Sequence, residues 1–367
     1  MEYTAKTYDK ARAEVSLCGT DAHVMLHVTD AELSCEEQMA ALRGATERLM
    51  GEMEGWKPVL RRVFVSDSAN QNHHVVEEWR GGDVATGVVE QPPLDGTKVA
   101  VWLWLMRDVE CRRLASGLCE VRQGDCRHLF SAGEHREGAD SHEQSERLIE
   151  DYAGQLLAEG LTLEANCART WFFVQNVDCN YMGLVKARNE VFARHGLTPD
   201  THFIASTGIG GRCADPRVTV LMDTYAVDGV GKENIGYLYA PTHLNRTTEY
   251  GVSFERGAYI DFADRRQVLI SGTASIDNRG NVQYPYDIRR QVKRMTENVE
   301  VLLGEAGCGW GDVQVIIVYL RDISDRRIVE LYLQKHFAHI PRILTYARVC
   351  RSGWLVEMEC MAMRAGR

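Results

Sequence analysis

Two acidic side chains, Glu357 and Glu359, lie two residues apart in the apolar run LVEMECMAM near the C-terminus. Because side chains alternate between the faces of a β-strand, a strand here would point both carboxylates the same way, about 7 Å apart. A carboxyl group can donate a proton near neutral pH when burial or a neighbouring negative charge keeps it protonated. The pair is therefore either a candidate acid with its neighbour or a solvated sheet face.

The composition limits the kind of protein and its partners. The chain has 367 residues, 45% of them hydrophobic, which indicates a globular protein of two or three domains. Its formal net charge of −10 argues against nucleic acid or an anionic membrane as a partner. Its N-terminus lacks the apolar run of a signal peptide, and no segment approaches the roughly 20 apolar residues of a membrane span. We expect no contact with a membrane.

The 11 cysteines are scattered and contain no C-x-x-C pair. This pattern indicates reduced thiols in a cytoplasmic protein rather than a disulfide framework or a zinc site. We accordingly expect a cytoplasmic location, no metal and no organic cofactor.

A strand-helix-strand-helix-strand order recurs three times along the chain. It predicts a degenerate unit over 1–107, a second unit over 108–228, a linker or site loop over 229–253, and a C-terminal unit over 254–367 that carries the acid. The predicted fold class is α+β, with tandem units whose mixed sheets each pack against two helices. The alternative is that such strands recur in any chain of this class.

Four segments of the third unit occur in the order and spacing of motifs in the YjgF/Rid family, namely ISGTASIDNRGNV, NVEVLLGEAGCGWGDV, VYLRDISD and VEMECMAM. Over Phe254 to Arg364 the chain resembles that family, whose chorismate-mutase-like units form trimers with sites between subunits. The resemblance implies a pseudo-trimer within one chain, monomeric or weakly associating. It also implies that Arg342, fifteen residues before Glu357, binds a substrate carboxylate, although its Ile-Pro-Arg context departs from the usual Pro-Ala-Arg.

The run from Arg169 to Gly211 is similar to the chorismatase group, which is built on Rid-like units and removes pyruvate from chorismate. The matching features are an R-T-W strand, a tyrosine seven residues before an arginine, an A-x-T-x-I-G turn, the segment FERG, and VCRSGWLVEME. Glu255 replaces the usual serine before the FERG arginine, and the preceding tyrosine-rich loop is only loosely matched. The candidate residues that these motifs supply are Tyr181, Arg188, Thr207, Arg256, Gly257, Cys350, Arg351 and Glu357.

Chorismate is a small anionic molecule with two carboxylates and an enol ether, so its site needs cationic clamps and one proton donor. Arginine binds carboxylates in bidentate fashion, which makes Arg342, Arg256, Arg188 and Arg351 candidate clamps. Glu357 is the candidate donor to the enolpyruvyl methylene. Gly257 and Cys350 match the type of chorismatase that forms 3-hydroxybenzoate, in which a thiol assists rearrangement.

The repeat sets Leu221 opposite Glu357, so only the third unit carries the acid. We expect one working site of three, with Tyr181 and Arg188 of the second unit as its other wall. Two alternatives remain open, a Rid-type enamine or imine deaminase and a non-catalytic protein that binds aromatic carboxylates.

Overall fold

Three mixed β-sheets of six strands each, packed against helices, form the chain in this computed structural model, which describes residues 1–79 and 82–366. Residue 367, the last of the predicted third unit, lies outside the described part. The predicted α+β fold class with tandem units is confirmed.

The first sheet begins with an antiparallel meander at the N-terminus. Its strands are β1 (Glu2–Tyr8), β2 (Ala11–Cys18), β3 (Asp21–Val28), β4 (Trp56–Val65), β5 (Ala85–Glu90) and β6 (Val99–Arg107), with helices α1 (Cys35–Glu52) and α2 (Ser68–Trp79). The spatial order is β1-β2-β3-β6-β4-β5. Helix α1 begins where it does because Ser34 and Glu37 form a capping box that satisfies free backbone N–H groups.

The second sheet has the order β11-β10-β12-β9-β8-β7. Its strands are β7 (Glu110–Arg113), β8 (Cys119–Gln123), β9 (Cys126–Glu134), β10 (Cys167–Val174), β11 (Ala205–Gly210) and β12 (Val220–Asp228), with helices α3 (Ser141–Ala158), α4 (Leu163–Asn166) and α5 (Val177–Arg194). The A-x-T-x-I-G segment, predicted as a turn, is strand β11. It is extended because it pairs in parallel with β10.

The third sheet has the order β13-β14-β15-β18-β16-β17. Its strands are β13 (Ile235–Leu238), β14 (Gly257–Asp261), β15 (Arg265–Ala274), β16 (Val313–Leu320), β17 (Arg342–Tyr346) and β18 (Val356–Ala365), with helices α6 (Ile288–Glu305) and α7 (Arg326–Phe337). Strand β13 lies within the predicted linker, residues 229–253, because its backbone pairs with β14. The linker prediction is wrong for those residues, and the other unit boundaries stay predictions.

A shared irregularity in strand pairing fixes which residues of the three units are equivalent. The pairing of β4 with β6, β10 with β12 and β16 with β18 shifts just before Leu60, Arg169 and Val315, respectively. Aligning these shifts makes Glu357 equivalent to Leu221 and Ala100. The same alignment makes Glu359 equivalent to Asp223 and Trp102.

Aromatic rings from different units pack together between the sheets. The Trp104 ring of the first unit lies 5.2 Å from Phe130 and 5.0 Å from Tyr225 of the second, centroid to centroid. Such edge-on contacts join the sheets into a common core. Within residues 1–79 and 82–366, no helix combines the length and apolarity needed to cross a membrane.

Candidate active site

Each junction between two sheets forms a cleft. One side consists of an edge strand and a helix of one unit, namely β5 and α2, β11 and α5, or β17 and α7, and the other side consists of strands of a neighbouring unit. The cleft between the first and second units has a volume of about 420 Å³ and includes Trp79 and Leu221. The cleft between the third and first units has a volume of about 320 Å³ and includes His27 and Arg342. Neither holds an acid at the position of Glu357.

The cleft between the second and third units contains Glu357. This residue lies on β18, where it pairs with Tyr319 of β16 and Ala274 of β15. Glu357 is 3% exposed, so its carboxyl lies almost entirely out of contact with solvent. Burial, and then the negative charge of Glu359, raise the pKa of Glu357 to about 8. The acid is therefore protonated at neutral pH, although nearby arginines act in the opposite direction.

Gly272 on β15 provides the space that the Glu357 carboxyl occupies. A Cβ atom at this glycine would lie 2.1 Å from Glu357 Oε1. We expect Gly272→Ala to displace the carboxyl and to reduce turnover in the reaction proposed for this site at least tenfold, since small misplacements of a reacting group are costly. Steady-state kinetics would measure this, with Gly304→Ala, where a Cβ meets open space, as the control. Equal rates for both variants would contradict this role of Gly272.

Two buried arginines from different elements line the same cleft. Arg188 on α5 is 1% exposed, and its Nε and Nη2 atoms have no hydrogen-bond partner among the described residues. Arg256 is 3% exposed and donates to the carbonyl and side-chain oxygens of Asn245. Both guanidinium groups lie within 6 Å of the Phe254 ring centroid. Because a buried, unsatisfied cation is costly, Arg188 is a candidate anion ligand.

Arg351 is exposed at the edge of the cleft, over the rings of Tyr250 and Trp354. Tyr250 Oη and Trp354 Nε1 are buried without a hydrogen-bond partner in the described part of the chain. These polar atoms, with Arg188, offer several donors to one small ligand.

Cys350, in the loop before β18, and Tyr181, on α5, also line the cleft. Burial, and then the charge of Glu357, raise the pKa of the Cys350 thiol to about 12. Burial also raises the pKa of Tyr181 well above its usual value. Both groups therefore carry their protons at neutral pH.

The loop between β13 and β14, residues 239–256, covers this cleft. The corresponding connections in the other units are only residues 9–10 and 114–118. The Asn189 side chain on α5 donates to Gly251 O at 2.8 Å and accepts from Ser253 Oγ at 2.7 Å, which fastens the loop. The remaining cavity is about 30 Å³, which is too small for a ring-sized ligand with the loop and the lining side chains as they lie.

The cleft brings together six of the residues predicted from sequence, namely Tyr181, Arg188, Arg256, Cys350, Arg351 and Glu357. It does not bring in Arg342, Gly257 or Thr207. What each of the six does stays a prediction.

The expectation that Arg342 shares a pocket with Glu357 is wrong. Arg342 pairs with Ile316 and Glu357 with Tyr319, three residues along β16, so their side chains leave opposite faces of the sheet. They are offset by about 10 Å along the strands and lie on the two strands that flank β16. The Arg342 guanidinium instead donates to carbonyl groups at the end of α7 and to Gln334. Ser206 occupies the equivalent position in the cleft of Glu357.

Gly257 and Thr207 lie behind the cavity wall rather than on it. A Cβ atom at Gly257 would meet Leu238 and Leu269, which shows packing inside the third sheet. Thr207 Oγ1 donates to Glu359 and accepts from Arg169 Nη2 at 2.6 Å. Neither residue is positioned to bind a substrate directly.

Glu255, the departure from the chorismatase pattern, is outside the cavity. Its Oε1 accepts from the backbone N–H of Phe203 at 3.0 Å, and burial raises its pKa. Glu255 is therefore not among the residues that line the cavity.

Sequence reasoning missed several residues that line the cleft, namely Ser206, Gly208, Tyr250, Val252, Phe254, Gly272, Ala274 and Trp354. Tyr250 lies in the tyrosine-rich loop, and Trp354 lies within the VCRSGWLVEME match. Ser206 and Gly208 lie in the A-x-T-x-I-G segment, Phe254 in FERG, and Gly272 and Ala274 in ISGTASIDNRGNV, so the sequence marked the segments of all but Val252. Which residues of those segments face the cavity was not marked, because it depends on the packing of the sheets.

The fold and this cleft define a chain of three fused α+β units with one acid-bearing site, between the second and third units. A family model described as Endoribonuclease L-PSP matches residues 255–364. A RutC family protein of Saccharolobus solfataricus is 31% identical over 101 residues, which are 27% of this chain and 79% of that protein. The chain therefore belongs to the RutC family, and the resemblance to YjgF/Rid proteins is confirmed.

Two further similarities agree with this assignment. A RutC family protein of Pyrococcus abyssi is 29% identical over 99 residues, which are 26% of this chain and 78% of that protein. The crystal structure of a chorismatase superposes with a TM-score of 0.64 at 19% identity, covering 83% of this chain and 92% of that chain. At this identity the similarity shows a shared fold that extends beyond the third unit.

Proposed function

We propose that this protein is an enzyme that converts chorismate to a hydroxybenzoate and pyruvate. The observation that carries the proposal is a buried carboxyl, Glu357, with its pKa raised to about 8, in the same cleft as a buried Arg188 whose Nε and Nη2 have no hydrogen-bond partner among the described residues. A protonated acid beside a free cation suits a substrate that is anionic and is activated by protonation.

The two buried guanidinium groups match the two carboxylates of chorismate. Arg188 comes from a helix of the second unit and Arg256 from the loop that covers the cleft. Each can bind one carboxylate, and the Tyr250 hydroxyl and Trp354 indole N–H are available for further hydrogen bonds. The fold shared with a chorismatase supports this substrate.

In the proposed reaction, Glu357 gives its proton to the methylene carbon of the enolpyruvyl group. The adjacent carbon becomes an oxocarbenium centre, and the bond between ring carbon and ether oxygen breaks with its electron pair moving to oxygen. Pyruvate leaves with a keto group, and the ring then loses one proton to the Glu357 carboxylate. The atoms of chorismate equal those of hydroxybenzoate and pyruvate, so no water, metal or redox partner is consumed.

We favour 3-hydroxybenzoate as the product, because Cys350 lines the cavity beside Tyr181. For this product the hydroxyl oxygen on the neighbouring ring carbon bonds to the ring cation, loses its proton and forms an epoxide. The bond from oxygen to its original carbon then breaks, the ring hydrogen beside the transferred oxygen leaves as a proton, and the oxygen takes up a proton, so that one proton is lost overall. With the pKa of Cys350 at about 12, the neutral thiol can donate a hydrogen bond to the moving oxygen. Gly257, the other residue of the resemblance, lies behind the wall and adds no contact.

Incubation of the purified chain with chorismate tests the proposal. We expect stoichiometric pyruvate and an aromatic product identified by chromatography, with a rate that falls as the pH rises through about 8 because Glu357 loses its proton. Ammonia release from enamines without action on chorismate would instead indicate a Rid-type deaminase. Thermal stabilisation by hydroxybenzoates without any turnover would indicate a binding protein.

A further inference from the structure

Glu359 lies behind the candidate acid and is held through both carboxylate oxygens. Oε2 accepts from Arg169 Nη2 at 2.5 Å and from Thr207 Oγ1. Oε1 accepts from Tyr319 Oη at 2.9 Å and Trp171 Nε1 at 3.1 Å. Four donors, one of them the Arg169 guanidinium, therefore surround a side chain that is 3% exposed.

The first unit completes this arrangement through Arg62. Its Nη1 lies 3.7 Å from Glu359 Oε1, while its Nε and Nη2 donate to Asp223 Oδ2 at 2.9 and 2.7 Å. The two arginines, Arg62 and Arg169, therefore balance the two carboxylates, Asp223 and Glu359. Ionised Glu357 would therefore face a second buried carboxylate, Glu359, that already has its own cations.

We infer that Glu359 is a positioning residue, held by all three units, whose fixed negative charge keeps the Glu357 carboxyl protonated. Both side chains leave the same face of β18, because they are two residues apart. The role of Glu359 in catalysis rests on the proposed function. The protonation state itself exists without substrate and can be measured without turnover.

Other groups also face Glu357 and set the direction of its titration. Arg256 and Arg169 lower the pKa of Glu357, against the effects of burial and Glu359. The remaining titratable or charged groups that line the cleft are Tyr181, Arg188, Tyr250, Cys350 and Arg351. Because Glu359 is the only carboxylate among these neighbours in the described chain, its neutralisation should move the titration of Glu357 to lower pH.

Asp223 offers a matched control. In the second unit Asp223 is the equivalent of Glu359, and it is buried and paired with Arg62. The residue equivalent to Glu357 in that unit is Leu221, which has no charge. Asp223→Asn therefore disturbs the same network without removing the charge next to the acid.

The experiment follows the infrared carbonyl band of the protonated acid in the substrate-free protein, assigned by its loss in Glu357→Gln. We expect Glu359→Gln to lower the titration midpoint of this band by about one pH unit or more, and Asp223→Asn to leave it nearly unchanged. An unchanged midpoint in Glu359→Gln, or equal shifts in both variants, would overturn the inference. So would absence of the band in wild type at pH 7, a measurement that does not require Glu359→Gln to fold. Since the titration uses no substrate, a protein that does not convert chorismate can still show the predicted shift. Failure of the proposed function and failure of this inference are therefore distinguishable.

Discussion

Replacing Glu357 by glutamine is expected to lower the rate of pyruvate release from chorismate about a thousandfold, within the range usual for loss of a general acid. Glutamine keeps the shape of the side chain but has no proton acidic enough to give to the enolpyruvyl methylene. The measurement is a coupled assay of pyruvate at saturating chorismate. Because binding by Arg188 and Arg256 is preserved, KM should change little.

The stability of the same variant should show that its loss of activity does not result from unfolding. The folded pKa of Glu357, about 8, is above its ordinary value of 4.5, so its stabilising effect is fully present below 4.5 and is lost as the pH rises through about 8. Glu357→Gln lacks this dependence and should be the more stable protein at pH 9 in urea unfolding. Wild-type activity in the variant would rule out the proposed acid.

Replacing Arg188 by methionine is expected to raise the KM for chorismate about a hundredfold, which corresponds to about 2.7 kcal/mol. The guanidinium is buried without a partner for Nε and Nη2, so a substrate carboxylate gains charged hydrogen bonds that need no competing group to be displaced. For the same reason the substrate-free variant should be more stable than wild type, by about 1 kcal/mol. Kinetics and thermal unfolding without ligand measure the two effects.

Arg351→Met is the matched control, because Arg351 lines the same cleft but is exposed. An exposed charge contributes little, so its KM should rise only a few-fold, without a gain in stability. A larger effect at Arg351 than at Arg188 would contradict the assignment of Arg188 as the buried clamp. It would place the substrate carboxylate at the mouth of the cleft instead.

The covering loop explains why a site for a ring-sized substrate is almost closed. The two other clefts have volumes of about 420 and 320 Å³ and lack a comparable insertion. Residues 239–256 contribute Tyr250, Phe254 and Arg256 to the second cleft, and Asn189 fastens them to α5. Opening and closing of this loop would both admit substrate and exclude water from the acid.

The sequence alone determined the repeated order of strands and helices, except for β11 and β13, and the position of the acid within it. Strand alternation placed Glu357 and Glu359 on one face, and comparison of the repeats set Leu221 opposite Glu357, which the strand pairing shows. These features depend on residues close together in the chain or at matching places in a repeat. They can be read before any packing is known.

Only the tertiary structure decided which residues meet. Each cleft takes its edge strand from one unit and its acid position from another, so Arg342 faces the first unit while Arg188 faces Glu357. Three of the four donors to Glu359 lie more than a hundred residues from it in sequence. Whether Arg188 has a hydrogen-bond partner among the described residues likewise depends on how two units meet. Sequence periodicity does not contain those distances, because they are set by how the three sheets pack against one another.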